Sequence, residues 1–186
     1  MPQERTRKIV ITGVLGAIAV FLGLTRWGFI PWVTGTALTI MHVPAIIGAV
    51  LEGPVVGLLI GLIFGIFSAI QAAIAPTGPG DVIFTNPLIS VLPRLFIGPA
   101  AWLVWRALQR WPVVGLITSG VAGSLTNTIL VIGMIGLLGY APWTLLLPIV
   151  VMNGLPEAVV SGILVLVIVA AWKRIEVGRR KGANLD

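Results

Sequence analysis

The sequence predicts an all-α membrane protein: a bundle of six transmembrane helices forming a single integral-membrane domain over residues 1–186, with both termini cytoplasmic. Three observations carry this. Hydrophobic residues make up 58% of the chain and charged residues 10%, whereas a soluble domain runs at about 45–50% and about 25%. The mean hydropathy is +1.08, so there is too little polar surface to coat a water-soluble fold. The apolar residues fall in long runs, and a helix needs roughly 20 of them to cross a hydrocarbon core of about 30 Å. Backbone groups in lipid must be satisfied within the segment, which makes such runs helices, and the alternating ten-residue pattern of a membrane barrel is absent.

The first span is placed near 8–25 and reads as a retained helix rather than a cleaved leader, because it lacks a small-residue cleavage site and more spans follow. Gly13, Gly16, Ala17 and Val20 form a small-residue stripe along it, suited to seating another helix, whether of this bundle or of a partner subunit. A segment from Arg26 to Thr36 follows, with Trp27 and Trp32 as interface anchors or as caps over an outward-facing cavity. The second span, near 37–51, is the shortest and contains His42 and Pro44. A tight Glu52-Gly53-Pro54 turn leads to the third, near 54–75, where Gly57, Gly61 and Gly65 recur every four residues as a close-packing ridge. After a second long loop, Ala75 to Pro87, come spans near 88–109, 112–139 and 143–173. The last ends where Trp172 gives way to Lys173 and Arg174, an aromatic-then-basic exit from the membrane.

Six crossings put ten basic residues on the side of the two tails and Arg26 alone on the other, with Arg94 inside a span. That bias orients both tails toward the cytoplasm. It also reads the net charge of +6 as topology signal and lipid-headgroup contact rather than nucleic-acid binding. Zero cysteines and one histidine exclude disulfide frameworks, thiolate chemistry and multi-histidine metal sites. No Walker sequence and no nucleophile–base set occurs, so the chain is expected to be no enzyme and to hold no cofactor or metal.

The polar residues inside spans are the candidate ligand contacts. Arg94, in NPLISVLPRLFIG, costs about 3 kcal/mol at membrane depth and needs a partner or an aqueous cavity. It suits a ligand carboxylate, with structural pairing to Glu157 or snorkelling toward the exterior as the alternatives. Asn153 and Glu157 lie four apart and project from one face of the sixth span. Asn127, with Ser124 and Thr128, gives the fifth span a polar face, and Asn86 opens the fourth. With His42 and Trp32, these residues outline a substrate cavity built mainly by spans four to six.

The stretch TALTIMHVPAIIGAVLEGPVVGLLIGLIFGIFSAI, then FTNPLISVLPRLFIG and NGLPEAVVSGIL, resembles the substrate-binding S components of energy-coupling factor (ECF) vitamin transporters, over about residues 8–173. The MHVPAIIGA and NPLISVLPR segments are most similar to the pantothenate-type branch. The resemblance implies a multi-pass protein of a prokaryotic plasma membrane. It would capture a water-soluble vitamin, pantothenate first, with folate, cobalamin, riboflavin or pyridoxine-like ligands as alternatives. It also implies partners, namely a transmembrane coupling subunit and two cytoplasmic ATPases, and a ligand pocket lined by the external loops and helices four to six. Family members present Ala-x-x-x-Ala on the first helix to the coupling subunit; here the match is Gly13-x-x-x-Ala17, which assigns Gly13, Gly16 and Ala17 to partner binding. A self-sufficient ion-coupled transporter or channel, with Glu157, His42 and Arg94 in a relay, is the competing expectation.

Overall fold

The computed structural model describes residues 2–30, 38–76 and 78–173. Trp32 and the basic tail beyond Lys173 lie outside them. Eight α-helices account for most of these residues: α1 (Pro2–Leu24), α2 (Val43–Glu52), α3 (Pro54–Ile74), α4 (Pro87–Ser90), α5 (Leu92–Ala107), α6 (Pro112–Leu137), α7 (Trp143–Ile149) and α8 (Leu155–Lys173). The two-residue strands β1 (Phe29–Ile30) and β2 (Leu38–Thr39) pair antiparallel between α1 and α2. A 3₁₀ segment, Pro79–Thr85, precedes α4. Five segments are long and apolar enough to cross a membrane: Gln3–Leu24, Pro54–Ile74, Pro87–Ala107, Pro112–Leu137 and Trp143–Lys173.

The second expected span, 37–51, needs correcting. Only Val43–Glu52 is helical, and ten residues rise about 15 Å, half the hydrocarbon thickness. Pro44, in the first turn, suits a helix start there, its missing N–H being one the helix would leave unpaired anyway. Before it, the described chain is the extended pair Leu38–Thr39 and a turn at Met41–His42. Non-helical backbone is tolerated at membrane depth only inside protein; here Leu38 and Met41–Val50 are buried and Thr39 and Ile40 half-buried. Accordingly α2 is no lipid-facing span but the central post of the bundle, packed against α1, α3, α5, α6 and α8. At its far end the chain turns at Gly53 (φ +101°), a conformation a side chain would strain, and Pro54 starts α3.

Two further spans are broken by proline. The fourth divides at Val91 into α4 and α5, just before Pro93. The sixth contains a π-helical turn, Val150–Gly154, with Pro148 and Pro156 on either side. Wide turns of this kind are frequent at functional sites.

The described ends of the chain meet at one end of the bundle. Arg7 Nη2 lies 2.6 Å from Glu52 Oε1. Lys173 Nζ donates to the Val50 carbonyl at 3.5 Å and sits 4.9 Å from the Trp105 ring centre. Residues near both ends of the chain thus converge on the C-terminus of α2, where the helix dipole favours cations.

Helices in lipid have no hydrophobic drive to associate and rely on close packing. On α3 the glycine ridge supplies it. A Cβ at Gly57 would stand 2.8 Å from Gly98 Cα, and one at Gly61 would overlap the Arg94 carbonyl oxygen. The backbones of α3 and α5 therefore touch, and Arg94 is set against the ridge. Gly61→Ala should consequently destabilise the chain by about 1–3 kcal/mol, the range for overpacking. Gly133→Ala, with nothing within 4 Å of its Cβ, should be close to neutral. Thermal unfolding of both variants in one detergent checks this; equal behaviour would contradict the packing.

Candidate functional site

Pro93 decides the local shape around Arg94. It has no N–H for the Ile89 carbonyl, its partner four residues earlier, so the helix breaks there. The Arg94 Nη1 group donates to that carbonyl instead. Its guanidinium is held between two aromatic faces, 5.3 Å from the Phe64 ring centre on α3 and 5.2 Å from that of Phe84 in the 3₁₀ segment. Arginine favours this arrangement because its planar cation stacks on rings. Arg94 is 5% exposed, and its Nε has no partner.

Across the bundle, Glu157 on α8 accepts from the Thr39 backbone N–H of β2 (2.7 Å) and from the Thr128 hydroxyl of α6 (3.5 Å). The first contact ties the entering hairpin to α8 and satisfies a donor that the extended chain leaves free. One turn further along α8, the Ser161 hydroxyl lies 2.8 Å from His42 Nε2. His42 is fully buried and its Nδ1 has no partner. On α6, Ser124 Oγ and Asn127 Oδ1 are likewise buried without a partner. Asn153, in the π turn, is buried one helical turn before Glu157.

Five of the expected contact residues, His42, Arg94, Asn127, Asn153 and Glu157, therefore lie buried in the interior, on elements that pack on one another. Asn86 does something different. Its Oδ1 caps α4 by accepting from the Leu88 N–H (3.0 Å), and its Nδ2 donates to the Tyr140 hydroxyl (3.4 Å), in the loop region. Trp32 falls outside the described residues. Arg94 and Glu157 form no ion pair with each other; Glu52 pairs with Arg7 instead. The stripe on α1 divides by helical phase: Gly13 and Ala17 face outward, whereas Gly16 is buried against Ile63 of α3.

Ser161, Thr39, Phe64 and Phe84 are not singled out by the sequence. Ser161 had a signal, since Asn153, Glu157 and Ser161 follow at four-residue steps. Thr39 acts through its backbone and the two phenylalanines look like ordinary apolar positions. Among the described residues no cluster of three or more His, Cys, Asp or Glu could hold a metal. The site offers hydrogen bonds, one cation and one carboxylate, which is equipment for holding a polar molecule.

A family model described as ECF transporter, substrate-specific component, matches residues 7–169 of the chain. No curated protein matches it significantly.

The absence of an Arg94–Glu157 pair has a measurable consequence. Breaking a buried ion pair by removing one partner costs about 3–5 kcal/mol, and removing both recovers much of it. Here Arg94→Met and Glu157→Gln should each act alone, and the double variant should lose the sum of the single effects within about 0.5 kcal/mol. Unfolding in detergent without ligand gives the three values; a double variant that departs from the sum by more than about 1 kcal/mol would show a coupling that the geometry lacks.

Proposed function

From the premise that the chain belongs to the family of ECF transporter substrate-specific components, we infer that it captures a water-soluble vitamin, pantothenate being the first candidate, and delivers it across a prokaryotic plasma membrane. The family is a transport component and not an enzyme. The observation that carries the ligand reading is the set of buried, unpartnered polar atoms around Arg94, His42, Ser124 and Asn127. An apolar bundle gains nothing by burying such groups; each unsatisfied one costs about 1–3 kcal/mol. A bound molecule that meets them recovers this cost as affinity.

In this reading a carboxylate approaches from the outer side, beneath the β1–β2 hairpin and the 3₁₀ segment. Arg94 receives it through Nε and the adjoining guanidinium edge, giving the two-pronged contact for which arginine is suited. The ring faces of Phe64 and Phe84 keep the cation in plane and exclude water. Glu157 repels a second negative charge and keeps the acid at the arginine end. Ten basic residues toward the tails orient the Arg7–Glu52–Lys173 end to the cytoplasm. Gly13 and Ala17, outward on α1, offer the small surface to which a coupling subunit packs, and two ATPases supply the energy the chain itself has no sequence to release.

Two outcomes test this reading. Arg94→Lys should weaken pantothenate binding by about 5- to 150-fold, matching about 1–3 kcal/mol for charged hydrogen bonds, as read by calorimetry on the purified chain. Unchanged affinity in a folded variant would remove Arg94 from the site. In liposomes containing coupling subunit and ATPases, Gly13→Leu or Ala17→Leu should abolish ATP-driven uptake while binding by the isolated chain stays intact. Uptake driven by an ion gradient without ATPases would instead favour a self-sufficient carrier.

A further inference from the structure

We propose that the ligand is dipolar along its length, with a carboxylate at the Arg94 end and a hydroxyl or N–H donor at the end facing Asn127 and Glu157. This rests on the vitamin-binding reading and narrows it to a chemical class. The unpartnered atoms are not interchangeable. Arg94 Nε carries a hydrogen and can only donate, so it requires an acceptor, and its charge favours an anionic one. Asn127 leaves its Oδ1 unpartnered as the amide is placed, an acceptor that a ligand donor would meet. Ser124 Oγ and His42 Nδ1 serve in either sense and set no polarity. A molecule that meets both atoms as they are placed brings an acceptor and a donor.

The two buried ionisable side chains point the same way. Arg94 is 5% exposed and Glu157 7%, yet neither neutralises the other. Arg94 meets a carbonyl and two ring faces, while Glu157 meets a backbone N–H and a hydroxyl. Every one of these partners is neutral. The carboxyl oxygens of Glu157 have acceptor positions beyond the two that these contacts use, leaving room for a ligand donor. Thr128, which reaches Glu157, directly follows Asn127 on α6, so both acceptors lie at one level of the bundle. A wholly neutral ligand would leave Arg94 unanswered, and a simple cation would be repelled by it. Asn127 and Glu157 are accordingly the residues that set specificity at the donor end.

The experiment is a probe panel on the purified full chain, read by thermal stabilisation and then calorimetry. Pantothenate, biotin and folate carry an acid and a donor; lipoate and octanoate carry an acid alone; pantothenol, pyridoxine, riboflavin and cobalamin carry donors without a carboxylic acid; thiamine is a cation. The tightest binder should come from the first group. Its affinity should fall at least tenfold when the acid is replaced by an alcohol, as from pantothenate to pantothenol, and donor-free acids should bind at least tenfold more weakly. In Asn127→Leu the gap between acids with and without donors should narrow severalfold, and the panel on the unaltered chain decides the matter if that variant does not fold. Tightest binding by thiamine, pyridoxine, riboflavin or cobalamin would overturn the dipolar acid and leave the vitamin-binding reading standing. No stabilisation by any probe would overturn that reading too.

Discussion

Backbone contact between α3 and α5 is the constraint on which the interior depends. Lipid supplies no hydrophobic force between helices, so association needs surfaces that fit at van der Waals distance. Gly57 against Gly98 and Gly61 against the Arg94 carbonyl supply that fit. The same contact places the proline break of the fourth span beside α3, where Phe64 lies under the guanidinium. On the other side of the core, Gly120 of α6 faces the backbone at Ser161 and Gly162 of α8, where a Cβ on Gly120 would stand only 2.6 Å from Gly162 Cα. These two seams hold α5, α6 and α8 around α2. A side chain in either seam would separate the walls that carry Arg94, Asn127 and Glu157.

Polar groups are distributed unevenly within this framework. Freed backbone groups have local remedies. The Ile89 carbonyl takes Arg94 Nη1, the Thr39 N–H takes Glu157, and Asn86 caps α4. What is left unanswered is four side-chain atoms, on His42 at the start of α2, on Arg94 of α5, and on Ser124 and Asn127 of α6. Native folds rarely leave such atoms unpaired, and those that remain call for an explanation. Breaks at Pro93 and around Pro148 and Pro156 lie in spans that wall this cluster or pack beside it. Irregular backbone and unpaired polar atoms thus go together, as expected where lipid forbids both unless protein or a cavity surrounds them.

The sequence made much of this legible, for identifiable reasons. Long apolar runs can only be helices in lipid, and five of them are. Charged and amide groups at membrane depth must turn inward, which is why His42, Arg94, Asn127, Asn153 and Glu157 are buried. The segment 37–51 misled because hydropathy cannot distinguish contact with lipid from contact with other helices; α2 is apolar because protein surrounds it. Spacing alone could not divide Gly16 from Gly13 and Ala17, since that needs the rotation of α1 relative to Ile63. Nor could it decide what Arg94 touches. That depends on Phe84, brought in by a loop whose 3₁₀ turn has no long-range signature in the chain.

The single histidine provides the most direct test of the central claim that the unpartnered atoms line the ligand chamber. With ¹⁵N-labelled histidine incorporated, every imidazole signal comes from His42. Its Nε2 is occupied by Ser161, whereas Nδ1 is free and buried. Titration with the tightest ligand, followed by nitrogen NMR in detergent or nanodiscs, should move the Nδ1 resonance strongly, saturate at one equivalent, and move Nε2 less. Saturating binding by calorimetry with both nitrogens unmoved would contradict the account, because the ligand would then occupy a place other than the buried polar cluster.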